Sequence, residues 1–382
     1  MDDKLRVEFY KHAVREEDIE EVVKVLRSTF LTTGPKTKHF EAKLAEYLQQ
    51  KYVVGVTSCT AGLFLSLKAL GIGPGDEVIT TPLSFIATSN TILEAGATPI
   101  FVDVEPETGN IDLARVEAAI TSKTKAVMPV HLYGQMVDMK KLSAICKSRG
   151  LHIIEDAAHS LESLREGIRP GQLGTTACFS FYATKNLTCG EGGAISTDDP
   201  EVYDRLLQLR LHGMTKSAAE RYSKRYEHWD MDMLGYKANL PDILSAVMFH
   251  QIDRLGHQLQ SREAICKRYE EAFSPLPQLD FPKVQPDSIS ARHLFTLWVP
   301  RGFRDSALAE LQAHHIGVAV NFRPIHLMRF YRKTMGFQPG SFPIAEEIGE
   351  RTLTLPMYPD MPKEKVDRVI EVVTELAQHW HP

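Results

Sequence analysis

The chain alternates between two hydrophobic periods over its first two thirds. Short β-branched runs are interleaved with stretches whose apolar residues recur every three or four positions. Residues 16–29 and 38–50 read as amphipathic helices, the second after a Thr-Thr-Gly-Pro turn at 32–35, and Tyr52-Val53-Val54-Gly55-Val56-Thr57 reads as a strand. Helix 61–70, strand 76–80, helix 84–95, strand 98–102, helix 112–120, strand 124–130, helix 138–149 and strand 151–155 follow in order. Such alternation predicts an α/β fold, with a mostly parallel sheet between two layers of helices.

After Asp199 the pattern loosens. A helix at 200–211 is followed by a charged, weakly periodic stretch from Lys216 to Asp232, which reads as a mobile loop. A long helical pattern then runs from Pro241 to about Phe273, with an interruption expected near Gly256. Strand 294–299, helix 304–315, strand 317–321 and helices 343–353 and 362–378 suit a smaller C-terminal α/β domain. The boundary is placed near 250, giving domains 1–250 and 251–382.

Charge and cysteine usage narrow the function classes. Lys plus Arg number 44 against 49 Asp plus Glu, a net charge of −5, so no global positive field draws the chain to nucleic acid. No stretch approaches the ~18 uncharged apolar residues of a membrane span, and Met1-Asp2-Asp3-Lys4-Leu5-Arg6 lacks a signal core, so a cytoplasmic location is expected. Cys59, Cys146, Cys178, Cys189 and Cys266 are odd in number and contain no C-x-x-C pair. They read as buried thiols, with neither a disulfide framework nor a metal site.

Chemistry concentrates at the ends of two strands. The glycines of Gly71-Ile72-Gly73-Pro74-Gly75 close a helix and precede a strand, the reverse of a dinucleotide loop, so they read as a turn. In Ile153-Ile154-Glu155-Asp156-Ala157-Ala158-His159 an apolar strand runs into an acid at the edge where parallel sheets bind ligands. Asp156 is either a helix-capping acid or a carboxylate awaiting a cation or several donors. Cys178-Phe179-Ser180-Phe181-Tyr182-Ala183-Thr184-Lys185 ends in a lysine followed by a glycine cluster at 190–193. Lys185 is either a solvated surface lysine or, if buried, a nucleophilic amine. The hydroxyl-rich turn Thr57-Ser58-Cys59-Thr60-Ala61-Gly62 opens a helix whose N–H groups suit a phosphate. Strand-end acid, strand-end lysine and phosphate-binding turn are together the requirements of pyridoxal phosphate. The acid holds the pyridine nitrogen protonated, and the lysine amine holds the aldehyde. Phe85, at the next strand end, is positioned to stack on the ring.

Segments along the whole length carry a resemblance. They are Leu31-Thr32-Thr33-Gly34-Pro35, Gly75-Asp76-Glu77-Val78-Ile79-Thr80, His131-Leu132-Tyr133-Gly134, Glu155-Asp156-Ala157-Ala158-His159, Ser180 to Leu187, Gly235 to Asp242, and Leu355-Pro356-Met357-Tyr358-Pro359. In these the chain resembles the DegT/DnrJ/EryC1/StrS family of nucleotide-sugar aminotransferases, which have the type I fold of pyridoxal-phosphate enzymes. The resemblance implies Lys185 as the lysine bound to the cofactor, Asp156 at the pyridine nitrogen, and His159 beside the ring where many members have glutamine. It implies Thr60, Ala61 and Ser180 at the phosphate and Phe85 on the ring. Asn239 would reach the phosphate from the neighbouring subunit of a homodimer. Cys59 stands where many members have glycine or alanine.

Thr32-Thr33-Gly34-Pro35, Asn186-Leu187-Thr188-Cys189 and Asn321-Phe322-Arg323-Pro324 with His326 are most similar to the enzymes that aminate C4 of a UDP-linked 4-keto sugar, as in the aminoarabinose pathway. That likeness implies L-glutamate as donor and substrate contacts from Thr33, Arg323 and His326. Lys216, Arg221, Lys224 and Arg225 offer a further local group of cations for a nucleotide diphosphate. Amination of a cyclic ketone such as an aminocyclitol precursor, and a non-catalytic sensor or scaffold of the same fold, stand as alternatives.

Overall fold

The computed structural model describes residues 6–215 and 228–380. The strands are β1 (Tyr52–Val56), β2 (Glu77–Thr80), β3 (Thr98–Phe101), β4 (Thr124–Val127), β5 (His152–Asp156), β6 (Leu164–Arg165), β7 (Thr176–Ser180), β8 (Gly193–Thr197) and, paired with β6, β9 (Ser288–Ile289). Seven of them form the central sheet in the order β1-β8-β7-β5-β4-β2-β3. The pairs β2–β3, β2–β4, β4–β5 and β5–β7 are parallel, whereas β8 is antiparallel to both β1 and β7. The expected α/β sheet is therefore present, with one strand that the helix–strand alternation does not announce.

That strand explains the glycine cluster ahead of it. A Cβ on Gly193 would lie 2.4 Å from the Ser58 carbonyl carbon and 2.5 Å from the Cys59 nitrogen. Only a residue without a side chain lets β8 pass this close to the opening of the Cys59–Ala69 helix. That helix starts where Ser58 Oγ accepts the Ala61 N–H at 3.0 Å. Its Leu63 and Leu67 then pack with Val54, Val78, Ile154 and Ile195 of the sheet. Each such burial contributes about 1.5–3 kcal/mol. The other connections follow the same logic. Asp138 caps the Met139–Arg149 helix, Gly150 closes it in the left-handed region at φ 66°, and Asp199 caps the Pro200–Leu209 helix through the N–H groups of Glu201 and Val202.

The long helical pattern breaks at a different place from the one expected. The helices are Asp242–Met248 and Gln251–Phe273, so the interruption lies at Phe249 and His250, and Gly256 sits inside a helix. The carbonyl of Phe249 is taken by Lys43 Nζ at 2.9 Å, and its ring lies 4.6 and 4.5 Å from the Lys36 and Lys43 ammonium groups. Tertiary partners thus stabilise a turn where the local sequence gives no breaker.

The Gln251–Phe273 helix belongs to two cores. Ile252 and Leu255 pack with Phe40, Leu44 and Phe181 beside the sheet, whereas Ile265, Cys266, Tyr269 and Phe273 join a core of C-terminal residues that also takes in Val7. In that C-terminal part β10 (Phe295–Trp298) pairs antiparallel with β11 (Thr352–Leu355). The helices Arg304–Ala313, Pro343–Arg351 and Lys363–Ala377 cover them. The strand expected at 317–321 is reduced to a single bridge between Ala319 and Thr354. The Asn321 carbonyl instead accepts the hydroxyls of Tyr133 at 2.7 Å and Thr352 at 3.1 Å, which end the ladder. Arg329–Met335 is a helix the sequence pattern did not suggest. Among the described residues no helix is long and apolar enough to cross a membrane.

Candidate active site

Adjacent strands β5 and β7 deliver their C-terminal ends to one cavity of about 530 Å³. Thr60, Phe85, Asp156, His159, Ser180 and Lys185 all line it. Phe9, Leu294, Ala319 and Phe322 complete its wall from the N-terminal segment and the C-terminal part.

Asp156 is the last residue of β5 and is 5% exposed. Its Oδ2 accepts the Thr88 hydroxyl at 2.7 Å, its Oδ1 accepts the Ala158 N–H at 3.2 Å, and the Cys59 thiol lies 3.9 Å from Oδ1. The Ala158 bond is the capping contact of a turn, and it coexists with an orientation into the cavity. Burial pushes the carboxyl above its usual range, against the opposing effect of the Thr88 and Ala158 hydrogen bonds. Among the described residues it forms no salt bridge.

Lys185 follows β7 by five residues, its N–H closing a turn on the Tyr182 carbonyl at 2.9 Å. Burial pulls its ammonium down to about 8, with Cys59 and Asp156 acting in the opposite direction. Its Nζ lies 3.3 Å from His293 Nε2. His159 is buried, its Nδ1 accepting the Tyr133 N–H at 3.2 Å and its ring lying parallel to Phe322 at 5.8 Å. Burial and the Lys185 charge hold it well below its usual value, so its single ring proton sits on Nε2. Phe85 is 58% exposed, at 6.2 Å from Phe322.

The other expected site residues lie elsewhere. The Ala61 N–H is occupied by its cap, Ser58. Thr33 and Asn239 are bonded to each other at 2.6 Å and line a separate groove of about 870 Å³ with Lys237 and Arg210. Arg323 is exposed, next to Phe322 of the wall. His326 does not reach the cavity. It is fully buried, bonded to Glu346 at 2.8 Å and packed edge-on against Phe342. Lys216, Arg221, Lys224 and Arg225 lie outside the described residues. Two participants that sequence reasoning missed are Thr88, in an unremarkable Thr-rich segment, and His293, a lone histidine preceding β10.

The donor set fits pyridoxal phosphate. A buried carboxylate without a cation suits a pyridinium nitrogen, a depressed lysine suits an aldehyde, and a helix N-terminus between Thr60 and Ser180 suits a phosphate. Comparison with known proteins agrees. The model of the DegT/DnrJ/EryC1/StrS aminotransferase family matches residues 12–374. The spore coat polysaccharide biosynthesis protein SpsC of Bacillus subtilis is 43% identical over 371 residues, covering 96% of this chain and 95% of that protein. The structure of DesV from S. venezuelae superposes with a TM-score of 0.90 at 35% identity, covering 98% of this chain and 99% of that one. Spr1654 of Streptococcus pneumoniae, named as a sugar aminotransferase and solved in its PLP form, gives 0.91 at 32% identity over 99% of this chain and all of that one. The chain belongs to the DegT/DnrJ/EryC1/StrS aminotransferase family, whose enzymes work with pyridoxal phosphate.

Proposed function

We propose that this sugar aminotransferase moves the amino group of L-glutamate to the C4 carbonyl of a UDP-linked 4-keto sugar, in two half-reactions at the Lys185 cavity. One observation carries the site assignment: Lys185 and Asp156 reach the same cavity from neighbouring strands. When bound, the cofactor supplies an electron sink for the bonding pair at the substrate carbon. The chain's own residues do the rest. Burial lowers the Lys185 ammonium to about 8, so far more of it is free amine at neutral pH than of an ordinary lysine. That amine both attaches the cofactor and, once released, accepts and returns a proton at Nζ. Asp156 holds positive charge on the ring nitrogen, and a cationic partner there would draw its carboxyl back down. His159 and Phe85 flank the ring, while Thr60 and Ser180 receive the phosphate. Phe322 and Leu294 keep bulk water from the reacting carbon.

The acceptor reading is supported by Arg323, an exposed cation beside the cavity wall, and by the polysaccharide pathway named for SpsC. The groove that holds Thr33 and Asn239 is the surface we assign to a second copy's active site in a homodimer. The test loads the purified enzyme with the amino group from glutamate and then offers UDP-4-keto sugars, the free ketosugar and a carbocyclic ketone. Return of the aldehyde chromophore with the UDP sugar alone supports the proposal. Return only with the carbocycle replaces it with an aminocyclitol-type acceptor. Failure to take an amino group from glutamate rejects glutamate as the donor.

A further inference from the structure

Lys185 is the end of a hydrogen-bonded chain whose polarity is fixed step by step. Its Nζ faces His293 Nε2 at 3.3 Å, and His293 Nδ1 faces Asn186 Oδ1 at 3.2 Å. The Asn186 amide nitrogen is committed to Glu162 Oε2 at 2.9 Å and to the Ala291 carbonyl at 3.0 Å. A carboxylate and a carbonyl only accept, so the amide cannot be turned round, and Oδ1 is the atom left for His293. An amide oxygen only accepts as well, so the neutral imidazole carries its proton on Nδ1 and aims the Nε2 lone pair at Lys185. Glu162 is held in turn by Arg262 Nη2 at 2.5 Å, with both side chains at most 2% exposed.

We propose that His293 is a positioning residue for Lys185, locked by Asn186 as the Nδ1–H tautomer so that it accepts one Nζ–H and fixes the direction of the amine. This rests on Lys185 being the reactive lysine. A role as base is disfavoured by the order of basicities. Burial first, then the proximity of Lys185, His159 and Arg262, hold His293 well below the usual imidazole value, whereas Lys185 falls only to about 8. The proton therefore stays on the lysine, and His293 contributes geometry. The other groups that face Lys185 are Cys59, Asp156 and His159, each on a different segment.

The test uses the full-length protein freed of cofactor, with the rate of trinitrobenzenesulfonate labelling of Lys185 followed against pH by peptide mapping. His293→Phe keeps a flat ring without an acceptor, Asn186→Leu releases the tautomer, and His293→Gln restores an acceptor oxygen. Losing the acceptor disfavours the ammonium, so the first two variants should lower the labelling midpoint by about half a pH unit or more, roughly threefold in the ionisation constant. The Gln variant should stay near wild type. A Phe midpoint equal to wild type, or Gln and Phe variants that fall alike, would overturn the proposal. A measurement on the unsubstituted protein guards against misfolded variants: 15N spectra of histidine-labelled enzyme must show His293 protonated at Nδ1, and an Nε2–H form refutes the proposal. If the pyridoxyl group maps to another lysine, the functional reading fails, while coupling between His293 and Lys185 would still appear in the labelling.

Discussion

Two side chains at strand ends carry the strongest expectations. Replacing Lys185 by Ala should lower turnover by about a thousandfold or more, because no other amine takes over its proton transfers. Borohydride reduction of the loaded enzyme followed by peptide mapping checks the attachment point. Asp156→Asn should be comparably damaging, since an amide cannot hold the charge on the ring nitrogen. A depressed lysine also bears on stability. Lys185 binds its proton less tightly when folded, so the unfolded chain holds more protons between about 8 and 10.5, and stability rises with pH across that window. Lys185→Met should therefore stabilise the cofactor-free protein at pH 7, by on the order of 1–3 kcal/mol, with the gain vanishing above pH 10.5. Denaturant titrations at the two pH values read this directly. Lys185 and Asp156 were legible because strand periodicity places them at a sheet edge, where ligands bind. His293 was not. Its meeting with Lys185 spans 108 positions and depends on how the C-terminal part docks on the sheet.

Elements turn on two glycines with opposite expectations. At Gly193 a methyl group would meet the backbone of Ser58 and Cys59, which belongs to a capped helix start and cannot swing aside. Gly193→Ala should destabilise the protein by about 1–3 kcal/mol and weaken cofactor binding. At Gly256 the same methyl group would meet nothing within 4 Å, on a helix. Gly256→Ala should raise the denaturant midpoint, by about 0.5–1 kcal/mol of stability. The sequence pattern read the first as part of a close-approach cluster, in keeping with this contact, and the second as a helix breaker, which it is not. A helix break depends on what receives the freed carbonyl, and that partner, Lys43, is distant in sequence. Elements governed by local signals fared better. The helices capped by Ser58, Asp138 and Asp199 all stand close to where the apolar spacing placed them.

For the whole molecule the decisive expectation concerns two copies. Asn239 sits with Thr33 in a groove separate from the Lys185 cavity, so a shared-site homodimer separates their defects. Inactive Lys185→Ala mixed with an impaired Asn239→Ala variant, under conditions that exchange subunits, should show activity above either parent. Assay of the mixture, with exchange verified by differently tagged subunits, decides it; no gain despite exchange counts against a shared site. Fold class was readable from alternating periods alone, whereas the way the parts interlock was not. The Gln251–Phe273 helix lends its first half to one core and its second half to another, and Val7 is buried among residues of the C-terminal part. For protein engineers this sets where relatives can be recombined. A chimaera joined at residue 250 would transplant the whole helix and leave the recipient's Phe40, Leu44 and Phe181 to receive a foreign Ile252 and Leu255. A junction inside the helix, between Leu255 and Ile265, keeps each parent's half with the core that evolved around it.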